Sequence, residues 1–70
     1  MEYTALIEKG KDDQNYGAWV PDLPGCVSVG DSPEEAHANI RQAIEFHLRG
    51  LREDGLPVPE PSIAVTIQVA

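Results

Sequence analysis

The stretch GDSPEEA, residues 30–36 of the 70-residue chain, predicts the start of a helix. Ser32 can accept hydrogen bonds from free backbone amides, Pro33 suits the first helical position, and Glu35, three residues after the cap, can return a hydrogen bond. The apolar residues that follow recur at 3.6-residue spacing, so we expect an amphipathic helix that packs through one side. These apolar positions are Ala36, Ile40, Ala43, Ile44, His47, Leu48 and Leu51.

Two glycines fall in the later part of this predicted helix. Gly50 lowers helix stability by about 1 kcal/mol relative to alanine, and we interpret it as a point of close packing. Gly55 is expected to end the helix in a left-handed conformation. The run LPVPEP, residues 56–61, then carries three alternate prolines, which fix extended backbone angles and remove hydrogen-bond donors. We expect this run to form a stiff spacer.

Alternating or β-branched residues predict three strands before the helix and one after it. The first three cover residues 2–9, 16–20 and 26–29, with a polar turn over residues 10–15. The fourth covers residues 62–69, where four β-branched residues alternate with Ala, Thr and Gln. The order β-β-β-α-β predicts an α+β fold in which the helix crosses over and covers one face of a four-stranded sheet.

Nothing in the sequence supplies a second layer for the other face of this sheet. That face, or a sheet edge, is therefore the predicted contact surface for another chain. A chain of 70 residues has a small core, and such scaffolds usually rely on disulfides, a metal or association. Cys26 is the single cysteine, and with two histidines it does not supply a structural zinc site. We therefore expect a homo-oligomer, a dimer or higher, with no metal or cofactor.

The charge balance limits the classes of partner. Five basic and twelve acidic residues give a formal charge of −7, which opposes direct nucleic-acid binding and would attract a basic protein. Plain solubility is the alternative explanation of this charge. The N-terminal residues lack the features of a signal peptide, and no stretch approaches the about 20 apolar residues of a membrane span. We therefore expect a cytoplasmic protein.

Candidate catalytic residues are sparse, and each has a structural explanation. His47 lies in the apolar stripe and is expected to be a core histidine, while His37 is expected to be solvated. Cys26 has no cationic neighbour in sequence and is expected to be a buried structural cysteine. Asp12, Asp13 and Asp22 are expected in turns. The sequence thus predicts a protein that is not an enzyme.

Two motifs together resemble the HicB family of antitoxins and their short stand-alone relatives. They are WVPDLPGC, residues 19–26, and GDSPEEA, residues 30–36. Further likeness lies in YTA, AIEFHL and GLPVPEP, residues 3–5, 43–48 and 55–61. The resemblance covers nearly the whole chain and implies one domain, residues 1–70, with a partial RNase H-like fold. In the family, this domain binds HicA, a small basic ribonuclease toxin with a double-stranded-RNA-binding-like fold, and keeps it from cutting RNA.

The resemblance also sets limits on function. Many family members continue into a helix-turn-helix or ribbon-helix-helix domain that binds the operator, whereas this chain stops after the fourth predicted strand, so transcriptional autoregulation is not expected of it. RNase H-like catalysis needs several convergent carboxylates, and residues 62–69 carry none. A toxin-less oligomeric regulator or scaffold of the same fold remains an alternative, and residual nuclease activity involving Asp22 a third.

A rigid loop after the second strand is the predicted partner-binding site. Its prolines and glycine set the backbone and would present an aromatic side chain and a carboxylate to the partner. The alternative is that the loop is only a structural bend, with its tryptophan packed inside. The predicted partner-binding residues are Trp19, Asp22, Leu23, Pro24 and Gly25.

Overall fold

A computed structural model describes residues 1–11 and 15–70. Asp12 and Asp13, which were expected in a turn, lie outside the described residues. The described part contains three strands followed by one long helix. The elements are β1 (Leu6–Lys9), β2 (Tyr16–Trp19), β3 (Val27–Gly30) and α1 (Pro33–Glu53). The α+β class and the first three strands are confirmed, with β1 shorter than expected.

The three strands form an antiparallel sheet in the order β1-β2-β3. Ala18 in the central strand pairs with Ile7 on one side and Ser28 on the other. Trp19 pairs in the same way with Leu6 and Val27. Because directly paired residues project to the same face and successive residues to opposite faces, these two rows lie on opposite sides of the sheet.

Helix α1 packs on the face of the sheet that carries Ala18. Its buried residues, Ala36 and Ile40, join Ala18 in the core, while the rest of the predicted apolar stripe is half-buried. The helix contacts β3 and β2 more than it contacts β1. The fully buried core consists of Ala18, Val20, Leu23, Cys26, Ala36 and Ile40.

The predicted helix start is confirmed, with one change in its hydrogen bonds. Ser32 has extended backbone angles, and its Oγ accepts a hydrogen bond from the Glu35 amide at 3.0 Å. The Glu35 carboxylate accepts in return from the amide of Asp31 at 2.8 Å, one residue before the cap. Pro33 and the acidic first turn suit the free amides and the positive end of the helix.

Helix α1 ends at Glu53, and Gly55 follows as the left-handed stop that the sequence predicts. Gly55 has a φ of 68°, and the amide of Leu56 donates to the carbonyl of Leu51 at 2.8 Å. The amide of Gly55 donates to the carbonyl of Arg52 at 3.2 Å. These two bonds form a Schellman motif, which pairs carbonyls that the last turn would otherwise leave without partners.

Gly50 is not a point of close packing, and that expectation is wrong. A Cβ built on Gly50 meets no atom within 4 Å, and the residue lies inside the helix. Gly50→Ala should therefore raise the free energy of unfolding by about 0.5–1 kcal/mol, since alanine loses less backbone entropy on folding. Chemical denaturation followed by circular dichroism measures the change.

Gly55→Ala is the matched control for this substitution. A Cβ at Gly55 also meets open space, but its φ of 68° strains any L-residue. We expect Gly55→Ala to lower the free energy of unfolding by about 1 kcal/mol. Equal effects of the two alanines would contradict this account of the helix end.

The expected fourth strand is not formed, so the sheet has three strands rather than four. Within the described residues, 62–69 have no strand pairing, and no parallel crossover follows α1. Two contacts explain the path of this segment. The Tyr3 hydroxyl donates to the carbonyl of Pro59, and Ser62 hydrogen-bonds to Asp22. The chain is thereby led past the start of β1 to the loop between β2 and β3.

Candidate protein-binding face

The side of the sheet opposite α1 is covered by no element of the described chain. Since Ala18 faces the helix, the row Leu6, Trp19 and Val27 faces the other way. The next row on this side comes from the pairings of Gly17 with Glu8 and Val29. We call this surface the open face. It consists of Leu6, Glu8, Gly17, Trp19, Val27 and Val29.

Large apolar side chains of the open face are accessible to solvent. Leu6 is 43% exposed, Val27 is 65% exposed and Val29 is 63% exposed. Trp19, which pairs with Leu6 and Val27, is half-buried, so part of its surface is accessible. An exposed apolar patch of this kind is typical of a protein-contact surface.

Gly17 leaves open space at the centre of the second row. A Cβ built on it meets no atom within 4 Å. Glu8 and Val29 flank this space, and both are exposed. A partner's side chain could therefore reach the backbone of β2 here, with an apolar group on one side and a carboxylate on the other.

The five residues of the predicted site do not form one surface. Trp19 lies on the open face, and Pro24 and Gly25 are exposed in the loop between β2 and β3. Leu23 is fully buried, so its side chain belongs to the core. Asp22 is engaged within the chain, because its two carboxylate oxygens accept from the amide of Ser62 at 2.7 Å and from the Ser62 hydroxyl at 2.6 Å.

The loop between β2 and β3 is held by its own backbone hydrogen bonds. The amide of Leu23 donates to Val20 at 3.0 Å, and the amide of Cys26 donates to Leu23 at 3.0 Å. The amide of Val20 donates to Cys26 at 3.2 Å and closes the loop. Gly25 has a φ of 84°, a conformation that favours glycine. The loop is a bend closed by these hydrogen bonds, with Trp19 just before it on the open face.

Sequence reasoning missed Leu6, Val27 and Val29 as candidate contact residues. Their alternation within short strands was a usable signal, but the face they occupy depends on the register of β1, β2 and β3. A single sequence fixes that register only weakly when strands are four residues long.

Comparison with known proteins identifies the family. The protein-family model for HicB-like antitoxins of bacterial toxin–antitoxin systems matches residues 3–69 of this chain. This chain belongs to the HicB-like antitoxin family. The HicB-like chain is also 44% identical to a UPF0150 protein of Helicobacter pylori, with 100% of the chain and 97% of that protein covered. It is 45% identical over 60 residues to an uncharacterised 14.9 kDa protein of Haemophilus phage HP1. This alignment covers 86% of the present chain and 44% of the phage protein.

A solved structure supports the same assignment. One chain of a HicA3 and HicB3 toxin–antitoxin complex superposes with a TM-score of 0.73 and 26% sequence identity. The match covers 89% of the present HicB-like chain and 70% of the matched chain from the complex. The family and this structural match support a role in a toxin–antitoxin system, and they suggest a non-catalytic regulatory protein.

The titratable candidates of this HicB-like chain lie apart from the open face. Cys26 is buried, and burial raises the pKa of its thiol, which disfavours the nucleophilic thiolate. His47 is half-buried on α1, and His37 is exposed. Over residues 1–11 and 15–70, no three His, Cys, Asp or Glu side chains are grouped to hold a metal ion. In the same ranges, no helix has the length and apolar character needed to cross a membrane.

The contact between Asp22 and Ser62 should make the C-terminal segment pH-dependent. Hydrogen bonds from the Ser62 hydroxyl, and then from its amide, lower the pKa of Asp22. Because the pKa is lower in the folded state, these bonds stabilise the contact at neutral pH and are lost as the pH falls through that lowered pKa. We expect the Ser62 amide resonance in NMR spectra to titrate with a midpoint below the ordinary aspartate range.

Asp22→Asn should remove this titration of Ser62, because the amide side chain carries no ionisable proton in this range. Asp54→Asn, at the end of α1, should leave the titration unchanged. A Ser62 resonance that keeps the same midpoint in Asp22→Asn would show that another group controls the contact.

Proposed function

We propose that this chain is an antitoxin that binds a small HicA-type ribonuclease through the open face and keeps it from cleaving mRNA. The observation that carries the proposal is the exposed apolar row Leu6, Trp19 and Val27, in a chain that belongs to an antitoxin family. The matched chain comes from a toxin–antitoxin complex, which supports a HicA-type partner. Such a pair would act in the cytoplasm, where mRNA is translated.

Charge favours a basic ribonuclease as the partner. The chain carries a formal charge of −7, and complementary charge speeds encounter and disfavours wrong partners. Glu8 places one carboxylate on the open face itself. An RNA-binding enzyme has to be basic where it holds the phosphate backbone, so an acidic protein seated there would compete with RNA directly.

Within the proposed interface, the residues have different roles. Trp19 is the expected anchor, because it is large, partly buried and partly accessible, and tryptophan is enriched among residues that dominate binding energy. Pro24 and Gly25 are exposed in the loop that follows β2 and would extend the contact. Leu23 would contribute indirectly, because its buried side chain fixes the loop. Asp22 would contribute indirectly as well, because it holds the C-terminal segment through Ser62.

The test uses the purified chain and a purified short basic protein of the HicA type. We expect calorimetric titration to show a complex, and RNA cleavage by the basic protein to stop at the stoichiometry of that complex. Cleavage that continues at saturating concentrations of the chain would contradict inhibition. The absence of any complex with that protein would contradict the partner.

A second candidate function is that of an oligomeric regulator or scaffold without a toxin. The exposed apolar segment over residues 62–69 favours it, because such a segment can join copies of one chain. Both functions allow an oligomer, so the ribonuclease assay separates them. An oligomer that leaves every candidate ribonuclease active would favour the scaffold.

A further inference from the structure

A groove of about 500 Å³ runs between the N-terminal segment that leads into β1 and helix α1. Its apolar walls come from Tyr3 and Ala5 on one side and from Ile40, Ile44 and Leu48 on the other. The three helix residues are spaced four apart, so they form one row along the helix with about 6 Å between neighbours. The N-terminal wall of the groove ends at Ala5, directly before β1, which is the edge strand that α1 contacts least.

The C-terminal segment of the chain, residues 62–69, has the properties of a strand without a partner. Its four alternate β-branched residues, Ile63, Val65, Ile67 and Val69, are 93%, 74%, 76% and 82% exposed. Beyond Ser62, the described contacts include no hydrogen bond from this segment to the sheet. A strand places alternate side chains about 6.7 Å apart, close to the spacing of the groove's helix row.

The segment does not occupy the groove of its own chain. The carbonyl of Pro59 accepts from the hydroxyl of Tyr3 at the groove wall, but Ser62 then donates two hydrogen bonds to Asp22, in the loop between β2 and β3. The proline run at residues 57–61 limits how sharply the chain can turn back towards β1. The exposure of residues 63–69 confirms that the groove does not hold them in this arrangement.

We propose that residues 62–69 of a second copy of this chain lie in the groove and pair with the outer edge of β1. In the described part of the chain, β1 has a strand neighbour on one side only, so its other side offers backbone groups for an added strand. A two-fold axis makes the exchange reciprocal, and each copy then fills the groove of the other. The result is a dimer in which each sheet has four strands, the fourth contributed by the partner.

The features of the groove favour this occupant. Residues 62–69 are uncharged and carry apolar side chains on one face, which matches the apolar walls of the groove. Two of the charged residues at the rim, Arg41 and Glu45, pair with each other at 3.4 Å. The exchange covers four exposed apolar side chains and an apolar groove in a single contact.

Sedimentation of the purified chain alone tests the dimer. We expect a dimer for the natural sequence and a monomer with an intact helix signal for Val65→Asp combined with Ile67→Asp. The matched control is Thr66→Asp combined with Gln68→Asp, which places the same charges on the other face of the segment and should stay dimeric. A monomeric natural chain would overturn the proposal, and so would a dimer that survives Val65→Asp with Ile67→Asp.

Mixed crosslinking tests which chain supplies the segment. One chain carries Val65→Cys and another carries Arg41→Cys, and the two are mixed and treated with a short bis-maleimide. The native Cys26 is buried, and the natural chain treated in the same way serves as the blank. We expect a covalent heterodimer from the mixture, and none when Phe46→Cys, on the exposed side of α1, replaces Arg41→Cys. Crosslinking within one chain that carries both cysteines, with none in the mixture, would place the segment in its own groove and overturn the exchange. No crosslink in either sample would also overturn it.

These assays contain no ribonuclease, so their result is independent of the proposed antitoxin function. A dimer without inhibition leaves the exchange standing, and inhibition by a monomer leaves the antitoxin function standing.

Discussion

Val27→Arg is expected to weaken binding of the proposed ribonuclease partner by at least about 100-fold. Val27 lies at one end of the apolar row on the open face and is 65% exposed, so the folded chain tolerates a long polar side chain there. In the complex, that guanidinium would be buried without a counter-charge, at a cost of about 3–5 kcal/mol, and tenfold in affinity corresponds to about 1.4 kcal/mol. Calorimetric titration of Val27→Arg against the natural chain measures the loss.

Phe46→Arg is the matched control for Val27→Arg. Phe46 is 75% exposed on α1, away from the open face, and the substitution changes the net charge by the same amount. It should leave the affinity within about threefold, as expected for a charge outside the interface. Gly17→Leu tests the same face without any charge, because it fills the open space over β2. Loss of binding in Phe46→Arg, with retention in Val27→Arg and Gly17→Leu, would move the interface to the helix.

Gly30→Ala is expected to lower the stability of the chain strongly. A Cβ at Gly30 would lie 2.4 Å from the amide nitrogen of Ala36 and 2.8 Å from the carbonyl carbon of Glu35. Both contacts are with backbone, so the first turn of α1 would have to move away from the end of β3. Overpacking of this kind costs about 1–3 kcal/mol or more, a large share of the stability of a domain of this size.

Gly17→Ala is the control for Gly30→Ala, since it lies in the same sheet and its Cβ meets no atom within 4 Å. Urea denaturation followed by circular dichroism should show a much lower midpoint for Gly30→Ala and an unchanged or slightly higher one for Gly17→Ala. Similar midpoints in the two variants would mean that β3 and α1 are not packed as closely as the structure has them.

Elements set by local chemistry were predictable from the sequence. The start of α1 follows from Ser32, Pro33 and Glu35, whose hydrogen bonds lie within one turn. Its end follows from Gly55, because few other residues adopt a positive φ. The three strands before the helix follow from alternation and from the breakers between them. The prediction for Gly50 was wrong, because a glycine inside a helix can mark close packing or can have no packing role, and the sequence does not distinguish the two.

The parts that depend on distant contacts were not predictable in the same way. Alternation predicts that residues 62–69 can form a strand, but they pair with no strand among residues 1–11 and 15–70, and their first residue, Ser62, is held by Asp22, 40 positions earlier. Leu23 and Asp22 look alike as loop residues, yet one is fully buried and the other holds the C-terminal segment. Which side of each strand faces the helix also depends on register, and that side determines the candidate interface.

A single fluorine label reports most directly on the open face as the binding site. Trp19 is the one tryptophan of the chain, so 5-fluorotryptophan gives one ¹⁹F resonance from the centre of the apolar row. On addition of the unlabelled basic ribonuclease, we expect this resonance to shift and to saturate at the same stoichiometry at which RNA cleavage stops. A resonance that stays in place while cleavage is fully inhibited would contradict the open face as the antitoxin surface.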